Sequence, residues 1–145
     1  MNAMTPDRIR EVLSGPHQAI LGVSREHKGP LSVPMSYLYD ADRFFMVTSP
    51  GTLHGRLMKK RRRATLTVQY ERVEGRTVHQ WYVIAEGPTT FTDLDPSPII
   101  RQILTKDRGE ATVDEWFSRM NSEVDQVAVV DPHRISGYES LTSLD

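Results

Sequence analysis

Along most of this chain apolar and polar residues alternate, the period of a strand with one buried face; four stretches show the wider spacing of a helix. The first helix is predicted at Thr5-Pro6-Asp7, where a hydroxyl cap, a proline and an acid suit a helix start. Ile9, Val12 and Leu13 form its inner stripe, and Gly15-Pro16 stops it. From Gln18 the period becomes two. Gln18 to Arg25 reads as a strand, Glu26 to Gly29 as a polar turn, and Leu31 to Tyr39 as a second strand, with Pro34 marking an edge or bulge. After the turn at Asp40-Ala41-Asp42, Arg43 to Ser49 makes a third strand with Phe45 and Val47 on one face.

Pro50-Gly51-Thr52 ends this meander and opens a short helix carrying Leu53 and Leu57. Ala64, Leu66, Val68 and Tyr70 then alternate with Thr65, Thr67 and Gln69, the cleanest strand pattern in the chain. Glu74-Gly75 marks a hairpin, and Thr77 to Glu86 returns with His79, Trp81, Val83 and Ala85 on one face. Gly87-Pro88 permits a kink before Thr89 to Thr92. A third helix starts at Asp95-Pro96 with Ile99, Ile100, Ile103 and Leu104 inward. Thr112 to Glu115 reads as a capping box for a fourth, with Val113, Trp116, Phe117 and Met120 as a core face. Val127 to Val130 is the sixth strand, which Ile135 to Tyr138 extends.

Six strands in a chain of 145 residues predict a mainly β domain with flanking helices, residues 1–145 as one unit. An open sheet would leave pairing-competent edges exposed, so closure into a barrel is expected. No internal repeat, low-complexity tract or interdomain linker interrupts it. Composition narrows the chemistry. The chain has no cysteine, which excludes disulfides, thiol catalysis and iron–sulfur clusters and suits a reducing cytoplasm. The N-terminus has no apolar targeting region and no apolar run is long enough to span a bilayer, so a soluble cytoplasmic protein is expected.

The net charge of −1 conceals a concentration of positive charge. Thr48-Ser49-Pro50-Gly51-Thr52-Leu53-His54-Gly55-Arg56 places hydroxyls and glycines where a strand gives way to a helix, a junction whose free amides suit phosphate. It runs into Lys59-Lys60-Arg61-Arg62-Arg63, so that residues 56–63 hold six of the 18 basic side chains and no acid. Two further readings stand beside the phosphate site. The run can be a solvated helix face that complements the helix dipole, or a nucleic-acid patch, against which count the lack of interleaved aromatics and of a basic overall balance.

The order helix, strand, turn, strand, then “FFMVTSPGTLHGRLMKKRRRATLTV”, then “WYVIAEG”, resembles the pyridoxamine-5′-phosphate-oxidase-like family of flavin-binding split barrels. The likeness runs from about Pro16 to Gly87 and resumes in “VAVVDPHRISGY”; between Asp95 and Ser122 it extends only to the presence of helices. It implies a six-stranded split β-barrel, a homodimer, and a cofactor, FMN or the deazaflavin F420, in a cleft between subunits. It also implies that Thr48, Ser49, His54 and Arg56 line the phosphate end, and that Met35 and Ser36 approach the ring. Trp81 or Tyr138 would reach the partner's site. The family usually carries lysine at the position of His54, so here the phosphate would be held best by an imidazolium, with Arg56 or the basic run compensating.

His17, His27, His79 and His133 lack metal-ligand spacing and read as structural, and no metal is expected. No nucleophile elbow, Walker loop or dinucleotide fingerprint is present, and no catalytic side chain stands out. That suits an enzyme whose cofactor performs the chemistry. The resemblance therefore implies a flavin- or deazaflavin-dependent oxidoreductase acting on a small organic substrate. The alternative is a non-catalytic binder of flavin, haem or another tetrapyrrole; a nucleic-acid module ranks third.

Overall fold

A computed structural model describes residues 1–120 and 123–145. Ser122, the far limit of the helical region compared above, lies outside the described residues. Among the described residues nine strands and four helices follow in the order β1 (Asn2–Ala3), α1 (Pro6–Leu13), β2 (Ala19–Arg25), β3 (Lys28–Met35), β4 (Leu38–Asp40), β5 (Arg43–Thr48), α2 (Leu53–Arg61), β6 (Arg63–Glu74), β7 (Thr77–Thr92), α3 (Pro96–Arg108), α4 (Val113–Met120), β8 (Gln126–Val130) and β9 (Arg134–Ser143). Among the described residues, no helix is long and apolar enough to cross a membrane.

The strands run antiparallel in the order β3-β2-β6-β7-β8-β5-β4, with β9 pairing both β7 and β1. The architecture is the expected split barrel, but its ladder is open: β3 and β4 end the path and do not pair with each other. Pro30 and Pro34 both lie on β3, where a missing N–H costs least because the strand is an edge. The single strand expected over Leu31 to Tyr39 is accordingly two, broken at Ser36-Tyr37. Tyr37 turns fully inward there, and its hydroxyl donates to Leu13 O at 3.0 Å.

β7 supplies the continuity that closure does not. It pairs with β6 along its first twelve residues, with β9 over Thr77–Glu86, and past Pro88 with β8. The expected kink at Gly87-Pro88 is thus a change of partner within one strand. Gly87 is required there, since a Cβ would collide with the carbonyl of Asp131 on the β8–β9 connection. β9 is also longer than expected, because ten residues find ladder partners on β7.

The inward positions of β2, β6 and β7 (Leu21, Val23, Leu66, Val68, Trp81, Val83) join Leu13, Met58 and Phe44 in the main core. β5 is buried on both faces: Phe44 and Met46 enter that core, while Phe45 joins Val127 and Val129 in a second cluster against which Ile99 of α3 packs. α4 departs from its expected role. None of its residues is buried, and Trp116 and Phe117 are instead covered by the guanidinium groups of Arg108 and Arg101, 4.0 and 4.2 Å from the ring centres. Residues 110–112 wind as a 3₁₀ turn into α4, so Thr112 is not the extended cap residue that a capping box needs.

Candidate functional site

The site is built where three elements end together. β3 stops at Met35, β5 stops at Thr48, and α3 lies across them, held at its start by Asp95, whose carboxylate accepts from Ser97 N. Between them is a cavity of about 290 Å³. Met35, Ser36, Thr48 and His54 line it together, four residues singled out in the sequence from two separate stretches. Ile100, Ile103 and Leu104 form its apolar roof, and Val47 and Met120 add further apolar wall.

The loop from β5 to α2 is held by its own polar atoms. Ser49 O accepts from Thr52 N at 3.2 Å and from the Thr52 hydroxyl at 2.9 Å, and Gly51 N donates to Ser49 Oγ at 3.2 Å. Thr52 caps α2 by accepting from Gly55 N at 3.1 Å. The helix start lies so close to the loop that a Cβ at position 55 would overlap the carbonyl of Ser49 and meet Pro50 Cα at 3.0 Å. The amides of Leu53 and His54, in the first turn, have no protein acceptor among the described residues. They leave the start of α2, beside the cavity at His54, with donors to spare.

His54 Nε2 lies 2.8 Å from Thr48 Oγ1 and 3.3 Å from Thr52 Oγ1. The Thr52 hydroxyl gives its proton to Ser49 O, so toward His54 it only accepts, which favours the tautomer with hydrogen on Nε2. Burial lowers the pKa of His54. At neutral pH this side chain therefore offers hydrogen bonds and not the charge that the sequence suggests for it.

Ser49 and Arg56 belong to the same loop and helix but lie outside the cavity wall. Arg56 is exposed, and its Nη1 donates to Gly51 O at 2.6 Å, which sets a permanent cation on the outer side of the loop. The basic run disperses. Arg61 donates to Ser24 O, Arg62 ends α2 in the left-handed conformation, and Arg63 pairs with Glu86 at 2.7 Å; Lys59 and Lys60 are exposed. Trp81 lies elsewhere. It is 4% exposed in the main core, stacked on Tyr70 with the edge of His17 at 4.9 Å, and does not line the cavity.

Sequence reasoning missed Gln18 and the double role of α3. Ile100, Ile103 and Leu104 read as ordinary core, and only the placement of α3 over the gap between β3 and β5 makes them cavity wall. Gln18, a polar residue at the head of an apolar strand, was the one available signal.

No protein-family model and no curated protein matches the sequence. Solved structures do match the fold. A FAD-binding protein from Mesorhizobium loti is similar over 96% of this chain and 97% of its own, with TM-score 0.67 and 17% identity. A flavocytochrome from Azotobacter vinelandii is similar over 97% and 70%, with TM-score 0.68 and 15% identity. The heme storage protein HutZ from Vibrio cholerae is similar over 95% and 93%, with TM-score 0.63 and 12% identity. The chain has the flavin-binding split-barrel fold.

Proposed function

We propose that this protein is an oxidoreductase that binds FMN, or the deazaflavin F420, with the ring in the cavity under α3 and the phosphate at the β5–α2 loop. The observation that carries this reading is one cavity with two kinds of wall. Met35, Val47, Ile100, Ile103 and Leu104 offer apolar surface to a flat ring, while Thr48, His54 and the uncommitted first-turn amides stand at one end. Arg56 supplies charge to a phosphate there, and neutral His54, its Nε2 engaged by Thr48 and Thr52, steadies the loop. Bound flavin would exchange hydride or electrons with a small organic molecule; the side chains bind the ring, orient it and exclude water. Titration of the purified protein with FMN, read by quenching of flavin fluorescence, tests this. Saturable one-to-one binding is expected, and no binding of FMN or F420 overturns it.

One observation favours a second reading. A neutral imidazole facing an apolar cavity is also the side chain that ligates haem iron, which would make the protein a tetrapyrrole binder. A Soret band that appears with haemin and disappears in His54→Ala would support it over the flavin.

We further propose a homodimer. Across β2, β6, β7 and β9 the register sets Ile20, Thr67, Ile84 and Ser136 in one row and Tyr82 beside Tyr138 in the next. Ile20 and Ile84 are each 43% exposed on that sheet face. Light scattering is expected to give twice the chain mass, with Ile84→Asp shifting it to the monomer.

A further inference from the structure

The cavity under α3 does not end at Ser36. A second hollow of about 220 Å³ shares Gln18, Ser36, Ile103, Leu104 and Met120 with it. Its own lining is Pro16, His17, Asp107 and Arg108, and it has no part in holding a phosphate at the opposite end. A molecule in this annex would lie beside a ring in the main cavity.

Of the charged residues described around the annex, one cation has no acidic partner. Asp107 is neutralised by Lys106, whose Nζ donates to its Oδ1 at 2.5 Å. That ammonium is itself spent: it also donates to His17 O at 3.0 Å and Gly15 O at 3.3 Å and lies 4.2 Å from the Tyr37 ring centre. Burial and the adjacent Lys106 lower the pKa of His17, so it faces the annex uncharged. Arg108 remains. Its guanidinium lies on the Trp116 ring, Nη1 stands 4.0 Å from Met120 Sδ, and it has no acidic partner among the described residues. The exposed amide of Gln18 and the half-buried hydroxyl of Ser36 likewise have no hydrogen-bond partner there.

We propose that the annex is a substrate subsite for a small organic anion, a carboxylate held by Arg108 and by the neutral donors Gln18 and Ser36. The proposal rests on the flavin reading in one respect: the anion is a substrate only if a redox ring occupies the adjoining cavity. A cationic substrate would meet Arg108, while the acid of the annex, Asp107, is already paired with Lys106. An uncharged one would leave the guanidinium unused. Stacking on Trp116 holds the guanidinium plane in place, which suits bidentate recognition of a carboxylate.

Benzoate, benzamide and benzylamine serve as probes of one shape and three charges. In FMN-loaded protein, the absorbance of bound flavin is expected to shift with benzoate at concentrations at least tenfold below those needed for benzamide, and not with benzylamine. Arg108→Gln is expected to abolish the preference for benzoate while changing FMN affinity by less than twofold. Equal response to benzoate and benzamide overturns the proposal, as does a preference that survives Arg108→Gln, or displacement of FMN by benzoate, which would place the anion in the main cavity. If FMN does not bind at all, the flavin reading fails by itself. Tryptophan fluorescence, sensitive to Trp116 beneath Arg108, then decides the anion site in the flavin-free protein. A benzoate-dependent change lost in Arg108→Gln supports it, and no change overturns it.

Discussion

Two of the hollows on this barrel differ in what their walls leave free, and the larger leaves less. One, of about 520 Å³, opens beside β1 and is lined by Arg8, His79 and Glu139; the other is the cavity of about 290 Å³ under α3. In the larger, the charges satisfy one another. Arg8 donates to both oxygens of Glu139, Nε at 3.1 Å and Nη2 at 2.5 Å, and His79 Nε2 stands 2.8 Å from Oε2. The Arg8 contact, with help from His79, holds the Glu139 carboxyl down at about 2. Beside the smaller, the first-turn amides of α2 and, outside the cavity wall, the exposed Arg56 are left with capacity to spare. A polar group already paired fastens the fold; one left with free donors beside an apolar wall is available to a ligand.

The contrast breaks most sharply at Arg56. Arg56→Ala is expected to weaken FMN by about 10- to 100-fold, the loss of a hydrogen bond to a charged group at about 1.5–3 kcal/mol. Riboflavin, which lacks the phosphate, should change by less than about twofold if Arg56 acts on that group alone. Equal losses in fluorescence titrations of the two would move Arg56 from ligand binding to the support of the loop.

Glu139 gives the converse. Removing its carboxylate leaves Arg8 and His79 without their shared partner, so Glu139→Ala is expected to lower unfolding stability by about 1–3 kcal/mol in urea and leave FMN affinity unaltered. Since the folded pKa lies below the unfolded value of 4.5, the pair's contribution is fully present above that value. It is lost as pH falls from about 4.5 toward about 2, and in Glu139→Gln this part of the acid dependence should be absent.

The smallest effect is expected at His54. Because burial keeps the imidazole neutral, raising the pH from about 7 to about 8 should cost the wild type no affinity for FMN. His54→Gln retains a hydrogen-bonding side chain and should weaken FMN only about threefold, one neutral hydrogen bond being worth about 0.5–1.5 kcal/mol. His54→Lys should tighten binding at pH 8 by adding a charge. A wild-type affinity that falls steeply between those pH values would show that the histidine is charged in the complex.

The strands were legible from period alone wherever one face is buried and the other wet, as in Ala64 to Tyr70, and so were the starts of α1 and α3, whose caps are local chemistry. The strand-to-helix junction at residues 48–56 was also legible, because hydroxyls and glycines there constrain the backbone within a few residues. Other features depended on contacts between distant segments. Period could not show that β7 changes partner at Gly87, since a strand's alternation is the same whichever neighbour it pairs with. Nor could it place Trp81 in the main core, or leave the apolar residues of α4 short of burial with arginines over two of their rings. The charge of His54 was likewise a tertiary matter: the residue type sets a pKa near neutrality, and only the depth at which the fold holds the ring moves it down. Identity and local spacing determined what each segment could offer; which offers remained unspent was decided when the chain brought β3, β5 and α3 to one gap.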